Sequence, residues 1–508
     1  MIRFDQKLPL KILWVFFVLT VWQTISLLSW YWPDGLPDGN IGGIWTSLAY
    51  DFSQGVFYRP LFSEDSYGGT RYMPFFFVFH GLLIKVFGHP LTTGVFLTLT
   101  SAFALAAAIY FILRELGLSW RLALPFAVVM NCALSYQMTT LTVRGDFMAA
   151  AFNWWAVWLA LKYNSSGSRP FLFTAGLLFL CAFLTKATSV FGLAAVSFFF
   201  FVTDRKSTGI KLALFTATSM TAALAAINFL SDGRALKSFM ACATGGGPGL
   251  SFNFIVRFVE IAAHDPFFLA LFGVSLYVFV RHVREAWREP PFILFGAALT
   301  VTLIIFSSPG TAKNHLIDLM AAMSILLAVR FSKDMKETAG MSVLFSLISI
   351  YIVLSWFPFT PSIKKSYLER GKPRRENVTH LYRQYGPTAA PVLSQHPLFS
   401  ILNGKRPLIG DHFNLTVLRK KFPEIREDYT NKIKSQYFGS IVLQNWPPIF
   451  EKDIESVDDP HFKEKAEAFH ESQRVDDFYD LFLEYYEIAS VQRPFVYYLP
   501  KDLSQPTH

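Results

Sequence analysis

Three aspartates sit where an apolar chain meets water. Asp34 and Asp38 fall in the polar stretch Pro33–Asn40 (PDGLPDGN), directly after the first apolar run. Asp146 ends the Arg144-Gly145-Asp146 of TVRGD, directly before another such run. A carboxylate so placed can take a proton from an incoming nucleophile. Cationic groups accompany them: Arg71, Arg144, Lys186, Lys313 and His315 all lie at the ends of apolar runs or between them. Such groups bind phosphate and stabilise charge on a departing group. The combination suits a reaction on a lipid phosphate at the lipid–water boundary. Each residue also has a plainer reading. Pro-Asp-Gly is an ordinary turn signature. Asp146 opens a helix and is placed to serve its first turn. Lys186, in the hairpin LTKATS, can snorkel to the interface. Asp318 follows His315 by three residues on one helix face; it either orients the imidazole or is simply part of a polar helix end.

The elements that must position these groups are membrane helices. The chain has 508 residues, of which 52% are hydrophobic, 17% aromatic and only 16% charged. A soluble domain carries about a quarter charged residues, and 53 phenylalanines are too many for one aqueous core. A formal charge of +9 invites a nucleic-acid reading, but the basic residues cluster at the ends of apolar runs, as membrane topology requires. Runs of the required ~20 residues occur at 10–32, 91–113, 121–140, 147–163, 170–185, 187–203, 209–230, 266–282, 290–307, 315–330 and 338–360. This predicts about eleven transmembrane helices, the first of them uncleaved. The run 72–88 is short, opens near Pro74 and carries His80 and Lys85, which marks an interfacial or re-entrant helix.

With the N-terminus cytoplasmic and 72–88 not crossing, the inner loops are shorter yet hold more Lys and Arg than the outer ones. That topology puts Asp34, Asp38 and Asp146 on one outer face. The first loop, 33–90, holds an amphipathic stretch, Ile41–Gln54, followed by Tyr58, Arg59, Arg71 and Tyr72. The aromatic residues there equally fit an interfacial belt. A second outer loop, 231–265, contains the Gly-rich Thr244–Gly249, which lacks the Lys-Ser/Thr of a phosphate-binding loop and reads either as a plain flexible loop or as a lid. Glu260 and His264, one helical turn apart, are a weak metal pair. Beyond Pro361 charge rises and β-like runs appear at Ala390–Leu393, Ser440–Leu443 and Phe495–Leu499, with charged helical stretches between them. This predicts a transmembrane domain over 1–360 and a soluble α/β domain over 361–508 on the outer side. Asn377-Val-Thr and Asn414-Leu-Thr match the glycosylation acceptor pattern.

Taken together, AYDFSQGVFYRP, YGGTRYMPFFF…KVFG, TVRGD, LTKATS and GTAKNHLIDLMAA resemble the GT-C class of glycosyltransferases. These are the polyprenyl-phosphate-sugar-dependent enzymes of the protein-mannosyltransferase and aminoarabinose-transferase type. The resemblance covers most of residues 10–330. It implies a single inverting displacement at the anomeric carbon of a lipid-linked sugar, moving it to a glycan, lipid or protein acceptor on the outer face. By this likeness Asp38 matches the catalytic base, with Asp34 in reserve. Asp146 matches a second acid that supports the site or an ion. Arg71, Arg144, Lys186, Lys313 and His315 would hold the lipid phosphate, with Tyr58, Arg59, Tyr72 and Asp318 in support. Some branches of the class need a divalent cation and others do not, which leaves a metal open. The chain departs from the pattern in having Asp34 and Asp38, each followed by Gly, where relatives often carry an Asp-Glu pair, and Met73-Pro74 where a Pro-Pro pair is common. Two other readings compete: a transporter or flippase of lipid-linked sugars, and a non-catalytic assembly protein. Transporters place ionisable groups near the bilayer midplane, whereas here the middles of the apolar runs are nearly free of charge.

Overall fold

The computed structural model describes residues 8–31, 40–242, 254–263, 265–308, 311–337, 390–444, 462–473, 479–492 and 495–501. Asp34, Asp38, the Gly-rich stretch 244–249, His264, the apolar run 338–360 and Asn377 lie outside the described residues.

Helices occupy the apolar runs: α1 (Leu8–Tyr31), α4 (Pro90–Glu115), α7 (Asp146–Ser166), α8 (Arg169–Thr185), α9 (Phe191–Val202) and α10 (Lys206–Leu230). They continue as α13 (Pro266–Ala286), α14 (Pro290–Phe306) and α15 (Ile317–Glu337). Between them lie α2 (Asn40–Ser53), α3 (Pro74–Phe87), α5 (Trp120–Val128), α6 (Leu134–Thr140), α11 (Arg234–Cys242) and α12 (Phe254–Ala263). Among the described residues, four helical segments are long and apolar enough to cross a bilayer: α4, α10, α13 and Lys313–Lys333. Their surroundings differ. The Lys313–Lys333 window is 72% buried inside the protein, that of α10 only 17%. The first is therefore the axis of the bundle, packed by α4, α5, α7, α13 and α14. The second offers Leu214, Phe229 and Leu230 outward, a surface suited to lipid.

The run 121–140, expected as one helix, is broken into α5, a 3-10 turn at Val129–Cys132 and α6. Pro125 has no N–H, so the Arg121 carbonyl loses its helical donor. The Trp14 indole of α1 donates to that carbonyl instead, at 3.1 Å. Ser324 of α15 donates to the Phe126 carbonyl. At the far end Asp265 accepts from both the N–H and the hydroxyl of Ser135, each at 2.9 Å, while capping α13 through the Phe268 N–H. Irregular backbone at membrane depth survives only where neighbouring protein satisfies it, and these three contacts do so.

In the first loop α3 starts on Pro74 and stops at Gly88, whose φ of 72° is the left-handed C-cap. Its 14 residues reach about 21 Å, short of a ~30 Å hydrocarbon core. It packs on α2 through Gly81, where an added Cβ would lie 2.6 Å from the Ala49 carbonyl oxygen.

The C-terminal region forms a four-stranded sheet of β3 (Val392–Ser394), β4 (Ser440–Gln444), β5 (Tyr486–Gln492) and β6 (Phe495–Pro500), in the order β3-β4-β6-β5, with β3 parallel to β4 and the other pairs antiparallel. Three of these strands coincide with the β-like runs. The fourth, β5 (Tyr486–Gln492), follows the helix Tyr479–Tyr485 directly, and its Tyr486-Glu-Ile-Ala alternation is too brief to stand out from the charged helix before it. Helices at His412–Lys421, Pro423–Lys434 and Phe462–Gln473 cover the sheet. Asn414 is fully buried, its amide donating to Asp411 at 2.7 Å, so its sequon is no surface acceptor.

This region is fastened to the first loop. The hairpin β1 (Phe62–Ser63) and β2 (Ser66–Tyr67) continues into it, because the Tyr67 N–H donates to the Leu408 carbonyl at 2.9 Å. Asp51 and Arg59 form an ion pair in which both side chains are under 5% exposed. Arg59 also donates to the Pro407 carbonyl at 2.7 Å, and Arg406 donates to Asp51 at 3.0 Å. Arg59, expected to support the site, is thus occupied with holding two parts of the chain together.

Candidate functional site

Four segments converge at one end of the bundle: residues 68–73 before α3, the TVRGD turn before α7, the hairpin between α8 and α9, and a 3-10 turn at Lys313–Leu316. The TVRGD turn is held rigidly. Thr98 of α4 accepts from the Arg144 N–H at 3.2 Å, and its hydroxyl lies 3.3 Å from the Arg144 carbonyl. Gly145 is closely packed, since a Cβ there would come within 3.1 Å of Trp45 and 3.2 Å of Phe76. A small residue between Arg and Asp lets α2 and α3 close on the turn and aims Asp146 inward.

Asp146 is 6% exposed, and Lys186 forms an ion pair with its Oδ1. The Asn314 amide donates to the same oxygen at 2.7 Å. Lys186 reaches it because the backbone at the end of α8 turns extended there. It does not simply snorkel. Arg144, His315 and Lys186 all act electrostatically on Asp146, and Arg71 joins them around His315. Lys186, Arg144 and His315 therefore face one buried carboxylate, and Arg71 reaches the group through His315. Tyr72 belongs to the same group, 4.3 Å from the Trp45 ring between centroids and within the field of Arg71, Arg144 and Asp146. Tyr58 supports it from behind, donating to the Tyr72 carbonyl at 3.0 Å. Tyr58 holds a φ of 56°, a costly conformation for a bulky residue that the surrounding Phe57, Phe77 and Phe239 rings enforce.

His315 and Lys186 also line a narrow crevice with Thr188, Thr302 and Asp318. The expected Asp318–His315 contact is not made. Asp318 accepts from the Trp154 indole at 3.1 Å, and His315 Nδ1 has no hydrogen-bond partner among the described residues. His315 lies on the 3-10 turn and Asp318 on α15; the spacing leaves both on one side, and it is the Trp154 indole that takes the carboxylate. Lys313 stands half-exposed at the start of that turn. Asn314, read from the sequence only as a neighbour of His315, proves to be a direct partner of Asp146; an amide beside two cationic residues was the available signal.

The C-terminal region reaches the same place. Arg71 lies over the Phe413 ring, 5.2 Å from its centroid, and the Asn414 amide points at the Gly69 carbonyl at 3.4 Å. Burial pushes Asp411 up to about 6, against the pull of the Asn414 N–H and the Arg71 guanidinium. The folded protein therefore binds this proton more tightly than the unfolded chain. Stability from the group is full below about pH 4 and lost as pH rises through 6. A shift from 3.8 to about 6 corresponds to about 3 kcal/mol. Asp411→Asn keeps a helix-capping side chain without the charge. Its thermal midpoint should exceed that of the wild type at pH 7.5, with the gain fading by pH 4. Equal midpoints at pH 7.5 would show that the buried carboxylate carries no such cost.

Among the described residues no three His, Cys, Asp or Glu side chains gather as metal ligands. Among the described residues the donor set at Asp146 is a single carboxylate facing cations, which is short of what a divalent ion needs.

No family model matches this sequence, and no curated protein matches it either. Solved structures do. ArnT from Cupriavidus metallidurans bound to undecaprenyl phosphate aligns over 97% of this chain and 99% of its own, with a TM-score of 0.60 at 12% identity. The archaeal oligosaccharyltransferase AglB from Archaeoglobus fulgidus, in complex with an inhibitory peptide and a dolichol-phosphate, aligns over 97% of this chain and 75% of its own, with a TM-score of 0.53 at 13% identity. This chain has their fold. It is the GT-C fold that the motifs resemble, carried here on a chain of nearly the same length as ArnT. At such low identity the likeness concerns architecture, and the chemistry must be argued from this chain's own residues.

Proposed function

We propose that the protein is an integral membrane glycosyltransferase that takes a sugar from a polyprenyl-phosphate donor and transfers it to a glycan, lipid or protein. The observation carrying this reading is the cation-rich cluster around Asp146, at one end of a GT-C bundle. Arg71, Arg144 and Lys186 bind the donor phosphate and neutralise it as it leaves. Lys313 and His315 flank it from the 3-10 turn. Asp146 fixes Lys186 and Asn314; with these partners it serves to place the lysine and not to accept a proton. The base is then Asp38, with Asp34 in reserve. The acceptor hydroxyl or amine gives its proton to this carboxylate and attacks the anomeric carbon. The glycosidic C–O bond breaks with its electron pair on the polyprenyl phosphate, and configuration inverts. The site faces outward, opposite a cytoplasmic N-terminus, and the C-terminal region, touching Arg71 through Phe413, presents the acceptor. A divalent cation is not assigned a role.

Asp38→Asn should reduce sugar transfer in membranes by at least a hundredfold, the usual scale for losing a positioned base. Undiminished transfer would remove Asp38 as the base and turn attention to Asp34.

A further inference from the structure

A second pocket lies at the other end of the bundle. The last turns of α13, the start of α14 and the far half of α15 line an open pocket. From Asp318 to Lys333 α15 rises about 22 Å, which places this pocket near the opposite surface of a hydrocarbon core about 30 Å thick. Its floor is apolar, made by Phe292, Leu326 and Val329. Its rim is charged: His282, Glu285 and Arg330 line it, and Lys333 lies 2.9 Å from both carboxylate oxygens of Glu289. Beside it Trp287 is 40% exposed with Arg288 over its ring at 4.9 Å, the pattern of a side chain resting at headgroup level.

We propose that this pocket binds the headgroup of a phospholipid from the leaflet opposite the Asp146 cluster, and that it favours a zwitterionic, ammonium-bearing headgroup. Two cations and two carboxylates surround an apolar floor. A bare phosphate would meet Arg330 but also Glu285. A bare cation would meet the carboxylates but also Arg330 and Lys333. A phosphate joined to an ammonium satisfies both sets: the phosphate beside Arg330 and His282, the ammonium at the exposed carboxylate of Glu285. The apolar floor receives the glycerol and the first methylenes of the acyl chains. Basic pockets between helices at the membrane surface bind anionic headgroups; here the carboxylates of the rim add a place for an ammonium. This inference uses only the pocket and does not rest on the sugar-transfer reading.

The test is a lipid titration of the purified full-length protein in detergent, read by native mass spectrometry and thermal midpoint. The probes are phosphatidylethanolamine, phosphatidylglycerol and soluble phosphoethanolamine. Phosphatidylethanolamine should bind roughly two- to fivefold tighter than phosphatidylglycerol, the size of one partly exposed ionic contact, and phosphoethanolamine should compete poorly. Glu285→Gln, at an exposed rim position, should fold normally and bind the two lipids equally. The proposal is overturned if the wild type does not prefer phosphatidylethanolamine, if Glu285→Gln keeps the preference, or if phosphoethanolamine competes as well as the lipid.

Discussion

Lys186→Met is expected to lower sugar transfer from a polyprenyl-phosphate donor by about a hundred- to a thousandfold, the range for removing one preorganised charge-stabilising donor. The methionine keeps most of the side-chain volume, so packing against the α8–α9 hairpin survives. Two consequences separate a phosphate ligand from a structural lysine. First, the effect should fall on kcat as well as KM, because negative charge grows on the phosphate as the bond breaks. Second, Asp146→Asn should be costly through the same lysine, since the ion pair is what aims it. The double variant should then be no worse than the worse single one, the signature of residues acting as a unit. The measurement is transfer from a labelled donor in membranes, normalised to folded protein. Full activity of Lys186→Met would take this residue out of the site.

The other large effect concerns stability. Asp51→Ala should cost about 3–5 kcal/mol, because it leaves the buried Arg59 guanidinium without its counter-charge. Arg406, 36% exposed, loses the same partner and should contribute little. Because Arg59 also holds the Pro407 carbonyl, the damage should appear where the C-terminal region meets the first loop. Protease cleavage near 405–409 should rise before the helices unfold. Asp51→Ala combined with Arg59→Met should recover part of the loss, as replacing a whole buried pair costs less than breaking it. If the single variant unfolds at the wild-type temperature, the pair is not the fastening described above.

Much of this was legible in the chain. The apolar runs located the helices, and composition marked the change to an α/β region after the bundle. The sequence also brought Arg144, Asp146, Lys186, His315, Arg71 and Tyr72 together as a candidate set, because each sits at the edge of an apolar run. What it could not convey depends on tertiary partners. The break at 121–140 is written in Pro125 alone, and whether a proline kinks or ends a helix depends on groups such as Trp14 and Ser324, far away in sequence. Asp51 lies in an amphipathic stretch with nothing to single it out, and Arg59 reads as a supporting site residue; their burial arises only when 405–409 packs over them. Asp318 was paired with His315 by helical spacing, but its carboxylate is taken by Trp154, a partner far away in sequence. Asp34 and Asp38 remain as the sequence presents them.

The contact between Arg406 and Asp51 spans 355 residues of chain. At about 5–20 residues per second, the ribosome needs roughly 20 to 70 s between making one partner and the other. Throughout that interval Asp51 and Arg59 are already present, but the segment that closes over them is not. The first loop must therefore wait, half-assembled, until nearly the whole protein has been made. A chain cut short before residue 405 would carry α1 to α15 and still display this open seam. That makes the seam a natural mark by which an unfinished copy differs from a finished one.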